Sequence, residues 1–306
     1  MNALLVIGLC SAALAAGNSL DTAGTWVEAP WGEPVIDRGA TGEWDHYAVD
    51  NPYVYLEANR YYCFFEAQDK PVGQGGREAI GVAVSHDGAA WRKFAGNPIL
   101  DVGEAGTWDS RVAKLPAGVT RRDGLYYLLY SGLGETTKQI GLATARNLTG
   151  PWKKAANNPV LRSRPGQWDA FLSTYPAPVF HLDGEYHLLF RGMETRYRRQ
   201  GTGVAVSPDL REWRRTTVSP VIATTEEIAS LAVARADGRY VGISQPPELS
   251  NRRYWFSDDL QQWELGPRVS FRASRQAETL SNPFLVDRRW TVLYEQGDRI
   301  YRAVLE

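Results

Sequence analysis

Three aspartates stand at matching places in the chain. Asp45, Asp109 and Asp169 each follow a tryptophan directly and each precede a proline by seven residues, at Pro52, Pro116 and Pro176. A fourth, Asp50, lies two residues before Pro52, where the other two copies carry Lys114 and Thr174. One carboxyl can give a proton to a leaving oxygen, while another draws a proton from water or attacks carbon itself. Acids gathered in one concavity therefore suit acid–base displacement. A carboxylate confined to one copy answers to chemistry rather than to the repeat, which makes Asp50 the first candidate. By the same comparison Arg111 and Lys114 are candidate substrate contacts, because the other copies carry Tyr47 or Phe171 and Asp50 or Thr174 in those slots. An aspartate present in every copy has a second explanation, the capping of a turn by accepting backbone N–H groups.

Each tryptophan–aspartate pair opens a unit that runs through the same elements. An aromatic-rich strand follows the proline, at Tyr61–Phe65, Tyr126–Tyr130 and Tyr186–Phe190. A Gly-x-Ala strand comes next, from Gly81, Gly141 and Gly203, and a turn then leads to Trp91, Trp152 and Trp213, spaced 61 residues apart. Two weaker copies follow, one over Ile228–Ser244 and on to Trp263, the other from Asn282 to Val304. Five units of three or four short strands predict an all-β fold, a five-bladed β-propeller with a central funnel. No stretch carries the helical apolar period with caps, so almost no helix is expected. Trp26–Ile36, ahead of the first unit, is expected to add a strand to the last.

In a propeller the innermost strands start at one mouth of the channel, and here the strand around each proline is innermost. The funnel should then gather Asp45, His46 and Asp50 from the first unit, Asp109, Arg111 and Lys114 from the second, and Asp169, Thr174 and Tyr175 from the third. The fourth unit offers Glu226 and Glu227, and the fifth Glu278, Ser281 and Asn282. A second ring of acids, Glu66, Glu194 and Glu295, follows the second strands. Arg191, Arg196, Arg198 and Arg199 form a basic stretch. Over the funnel it would favour an anionic sugar, since guanidinium pairs well with carboxylate and sulfate.

The chain has 306 residues, with 34 Lys and Arg against 35 Asp and Glu, a formal net charge of −1 that argues against a general nucleic-acid binder. The 11 Trp and 15 Tyr suit β-structure and sugar-stacking surfaces alike. Residues 1–16 read as a signal peptide. Ala3–Ala16 is a short apolar run and Ala13-Leu14-Ala15 fits the cleavage pattern, so a secreted or periplasmic protein is expected, without membrane insertion. Residues 17–306 are then one domain, and Cys63 is a lone buried thiol rather than half of a disulfide. No metal or phosphate-loop motif is present in the sequence, so no cofactor is expected and nothing calls for a structural Ca²⁺.

From Trp26 to Glu306 the chain resembles the five-bladed propeller glycosidases, glycoside hydrolase families 43, 32, 68, 117 and 130. The resemblance rests on the five units, on Asn51-Pro52-Tyr53-Val54, on Asp123–Gly132 and on the Ser207–Trp213 turn. It implies cleavage of glycosidic bonds in a poly- or oligosaccharide by three acids from the starts of the inner strands. The match departs at the acids. Asn51 stands where family 43 has an aspartate before the proline, Leu115 precedes Pro116, and no glutamate lies near Pro176. By position the catalytic trio is Asp50, Asp109 and Asp169, with Glu227 or Glu226 as a further acid. A glycoside phosphorylase and a non-catalytic carbohydrate-binding propeller are the alternatives.

Overall fold

The computed structural model describes residues 18–195, 198–217, 219–223, 230–246 and 249–306, without the side chains of 198–200, 223 and 249. The described residues are all-β, with two single 3₁₀ turns at Val72–Gln74 and Leu249–Asn251. None of their helices is long and apolar enough to cross a membrane.

The strands fall into five antiparallel sets. The first comprises Ala48–Glu57, Arg60–Gln68, Glu78–Ser85 and Arg92–Lys93. The second comprises Val112–Arg122, Leu125–Leu133, Lys138–Ala145 and Lys153–Lys154. One parallel pair, Glu78 with Val112, joins these two into an eight-stranded sheet. The third set is built on Phe171–Thr174, Glu185–Thr195 and Arg198–Ser207, and the fourth on Ser230–Ala236, Arg239–Gln245, Arg253–Ser257 and Glu264–Arg268. The fifth holds Phe284–Val286, Arg289–Glu295 and Ile300–Leu305. Thr25–Glu28 pairs antiparallel with Ile300–Leu305, so the segment ahead of the first unit does join the last.

The near-continuous apolar runs follow from burial on both strand faces. Alternate residues point to opposite faces of a strand, and here each face meets a neighbouring set. Phe64 packs into a cluster shared by the first and second sets, while Cys63 and Phe65 pack into one shared by the first and fifth. Leu128 and Tyr130 likewise divide from Tyr127 and Leu129. The remaining clusters join the third set to the fourth and the fourth to the fifth. Polar ties repeat this order. The Asn282 amide accepts from Val54 N–H at 2.9 Å and donates to Val54 O at 3.0 Å, and the Gln245 amide clamps Leu280 in the same way. Thr174 donates its hydroxyl to Leu115 O, and Val233 N–H donates to Pro176 O. The Asn282 side chain, expected as a substrate contact, is engaged on both sides of this clamp.

The repeated tryptophan–aspartate pair is an anchor. Trp44 and Trp168 stack on Phe65 and Phe190, and Trp108 packs tilted on Tyr130. Glycine is required opposite them, because a Cβ on Gly141 would sit 2.6 Å from the Trp108 ring and one on Gly81 2.8 Å from Trp44. Each aspartate is buried and bound by the basic residue two places after the closing tryptophan of its own unit. Asp45 meets Lys93 at 2.7 Å, Asp109 meets Lys154 at 2.6 Å, and Asp169 meets Arg215 at 2.5 Å. Asp109 also accepts from the Tyr130 hydroxyl at 2.9 Å, and Asp169 from Arg164 at 2.9 Å. Removing one partner of a buried ion pair strands the other. Asp169→Ala is expected to cost about 3 kcal/mol in urea unfolding; a loss below about 1 kcal/mol would show that the pair does not anchor the unit.

Candidate active site

Three successive antiparallel strands bring the start of the first, the end of the second and the start of the third to one edge. In the first set that edge carries Asp50, Glu66 and Glu78, with Asp50 directly across the ladder from Glu66. Lys114, at the equivalent place in the second set, reaches into these acids. Its Nζ lies 2.7 Å from Glu78 Oε2 and 3.8 Å from Glu66 Oε1, and Leu115 N–H donates to Glu66 Oε2 at 3.1 Å. Glu295, at the end of the second strand of the fifth set, completes the acid group, with the exposed Asp298 on the turn beyond it.

Burial dominates the electrostatics here. Burial first, and then the charges of Glu66 and Asp298, push the Asp50 carboxyl up to about 8. Its Oδ1 is buried and has no hydrogen-bond partner. Glu295 is raised well above the usual carboxylate range by burial, then by Asp50 and Glu278. Glu66 is raised by burial as well, although Lys114 and Leu115 N–H pull it the other way. Burial opposes the Lys114 charge, but Glu66 and Glu78 outweigh it and hold the ammonium above its ordinary range. Lys138, at the start of the third strand of the second set, goes down to about 7 through burial and the Lys114 charge. The group thus holds more carboxyls than cations, and Asp50 keeps a proton at neutral pH.

Two cavities adjoin this group. One, of about 300 Å³, is walled by residues of all five sets, among them Asn51, Leu115, Tyr175, Arg191, Gln245 and Glu278. The Tyr175 hydroxyl lies 3.3 Å from Thr202 Oγ1. The other, of about 350 Å³, lies between the second and third sets and is walled by Arg111, Lys114, Lys138, Arg191 and Phe171, among others.

The structure brings together only part of the expected site. Asp50, Glu66, Lys114 and Glu295 share one group, while Arg111, Tyr175, Arg191 and Glu278 line the cavities. Asp45, Asp109 and Asp169 do not join them, because each is bound by cations of its own unit. His46 Nδ1 lies 2.8 Å from the Glu43 carbonyl, within its own turn. Glu194 is half-buried on Glu185–Thr195 and lines neither cavity. Glu226, Glu227 and Arg196, and the side chains of Arg198 and Arg199, lie outside what is described. Sequence reasoning missed Glu78 and Lys138, although a signal exists. Both stand three residues before the glycine of the Gly-x-Ala strand, where the third unit has Gln200. Among the described residues no group of three or more His, Cys, Asp and Glu is placed to hold a metal ion.

The raised Asp50 carboxyl makes the fold pH-sensitive with a definite sign. An unfolded aspartate releases its proton near 3.8 and the folded one near 8, so this contribution to stability is complete below about pH 4 and disappears as pH rises through about 8. Thermal unfolding from pH 4 to 9 should show Asp50→Asn gaining on the wild type as pH rises. A gap independent of pH would refute the raised carboxyl.

No family model matches the chain. It is 33% identical over 103 residues to an uncharacterized protein of Mycobacterium tuberculosis, covering 34% of this chain and 32% of that one. It is 30% identical over 116 residues to a β-1,2-mannobiose phosphorylase of a Thermoanaerobacter species, covering 33% and 35%. The matched stretch thus spans about a third of each curated relative. Solved structures match over nearly the whole chain. A family 117 glycoside hydrolase from Zobellia galactanivorans has a TM-score of 0.68 at 15% identity, covering 95% of this chain and 91% of that one. A glycosyl hydrolase from Bacteroides ovatus has a TM-score of 0.70 at 15% identity, covering 95% and 96%. A structure from the family 130 mannoside phosphorylases, a family described as containing hydrolases of β-1,2 mannosidic linkages, has a TM-score of 0.64 at 16% identity, covering 94% and 96%. These likenesses, at 15–16% identity, show that the chain shares the fold of these structures.

Proposed function

We propose that the protein is a glycoside hydrolase acting on a poly- or oligosaccharide, with Asp50 as its proton donor. The observation that carries this reading is a buried carboxyl that keeps its proton at neutral pH and has an unsatisfied oxygen, beside a cavity walled by all five strand sets. The cyclic order of shared clusters supports treating the five sets as blades and that cavity as the funnel. Asp50 would protonate the leaving glycosidic oxygen. Glu295, partly exposed on the fifth set, would draw a proton from the attacking water. Protonation of Asp50 removes one of the causes that raise Glu295, while burial and Glu278 remain, so Glu295 would act in the fraction that is ionised. Export is proposed from the apolar run ahead of residue 17 alone.

A second reading, a glycoside phosphorylase, is favoured by the match to the mannobiose phosphorylase. In it phosphate would take the place of water and one protein acid would suffice.

Reducing-sugar release from a broad glycan panel, with and without phosphate, tests both readings. Asp50→Asn is expected to lower turnover by about 10²-fold or more. Wild-type activity should fall as pH rises through about 8, where Asp50 gives up its proton. Release that depends on phosphate would select the phosphorylase reading. Full activity in Asp50→Asn would remove the proposed acid, and a folded protein inactive on every glycan would leave a binding propeller.

A further inference from the structure

From the second cavity we infer a specificity for acidic sugars: it takes the oxyanion of a glycan, a uronate carboxylate or a sugar sulfate. This rests on the carbohydrate reading above and names the substrate class.

The cavity is large enough for a sugar ring, at about 350 Å³, and its walls are unequally charged. Arg111, Lys114, Lys138 and Arg191 line it against a single acid, Glu135. Lys114 is engaged by Glu78 and Glu66. Arg111 and Lys138 form no salt bridge among the described residues, and Arg111 is exposed at the rim. Burial and then the Lys114 charge depress Lys138 to about 7, against the pull of Glu66 and Glu78. The permanent positive charge on the cavity wall therefore comes from Arg111, Lys114 and Arg191, and an arriving anion would favour the charged form of Lys138. An oxyanion arriving there meets cations already paid for by the fold, and guanidinium pairs in two-pronged fashion with planar carboxylate and with sulfate. Phe171 supplies an apolar wall for the C–H face of a ring.

The repeat does not demand these charges. The slot of Arg111 is Tyr47 in the first unit and Phe171 in the third, and the slot of Lys138 is Glu78 and Gln200. The cations are therefore peculiar to this unit, as Asp50 is to the first. Arg191, the first residue of the basic stretch singled out in the sequence, lines the cavity too, while Arg111, Lys114 and Lys138 come from outside that stretch.

The test is binding, which is independent of turnover. Matched acidic and neutral oligosaccharides, uronate-containing, sulfated and uncharged, are titrated calorimetrically into wild type, Lys138→Met, Arg111→Gln and Asp50→Asn, with inorganic phosphate as competitor. The acidic glycans should bind about tenfold or more tightly than their neutral counterparts. Lys138→Met and Arg111→Gln should each remove about tenfold from the acidic glycans alone, while Asp50→Asn keeps the preference. Arg111 is exposed, so its variant should remain folded even if Lys138→Met does not. Neutral glycans binding as tightly as acidic ones would overturn the inference and leave the carbohydrate reading intact. Binding of phosphate with no preference among glycans would make this an inorganic-anion site and overturn it too. Binding of no glycan at all would overturn both.

Discussion

Lys114 is the cation on which the acid group depends. It comes from the second strand set and lies 2.7 Å from Glu78 and 3.8 Å from Glu66 of the first. Taking charges out of water costs several kcal/mol each, and only close pairing with further hydrogen bonds repays it. Glu66 meets that condition through Lys114 and Leu115 N–H, while Glu78 has the ion pair with Lys114 at 2.7 Å alone. Asp50, opposite Glu66 on the ladder, has no such partner for its Oδ1. It meets the same burial by holding a proton. One ammonium shared between two carboxylates thus decides which of the neighbouring acids stays neutral, and a neutral carboxyl is what a proton donor requires.

This charged tie also replaces an apolar or neutral one. Elsewhere the sets are joined by amide clamps, as at Asn282 with Val54 and Gln245 with Leu280, whose groups are satisfied without ionisation. Between the first and second sets the sheet continues through the single parallel pair of Glu78 and Val112, and the charges sit at that seam. Lys138 and Arg111 extend the seam toward the third set. The chemistry therefore collects where two strand sets meet edge to edge.

The first three units are legible in the sequence because their anchor needs the same residues each time: a tryptophan to stack, a glycine to make room, an aspartate and a basic partner. That same regularity misleads about the site. Asp45, Asp109 and Asp169 look like convergent acids, but their partners Lys93, Lys154 and Arg215 stand in the sequence at a constant offset from each closing tryptophan, and pairing them reveals structural anchors. Asp50 is legible for the opposite reason, since it breaks the repeat. Glu78 and Lys138 break it too. They lie on the third strand of their sets, and attention to inner strands alone passes over them, although an antiparallel meander returns the third strand's start to the first strand's edge.

The backbone shows why Asp50 and Lys114 point where they do. Asn51 and Leu115 have φ of 48° and 51°, left-handed values that a residue with a side chain adopts at a cost, and both precede proline, which narrows the backbone further. Beside each the ladder slips, between Asp50 and Tyr53 and between Lys114 and Ala117. Such bulges re-aim side chains at sheet edges. The third unit has no left-handed residue before Pro176, and there Ser173 rather than Thr174 faces Arg191. The two strained residues thus mark the two units that supply Asp50 and Lys114. Leu115 is held by bonds on both sides, its N–H to Glu66 and its carbonyl from Thr174. The strain at Leu115 persists because the charged seam and the neighbouring set fix the same peptide, so the acid group that Lys114 enters also maintains the backbone that aims Lys114.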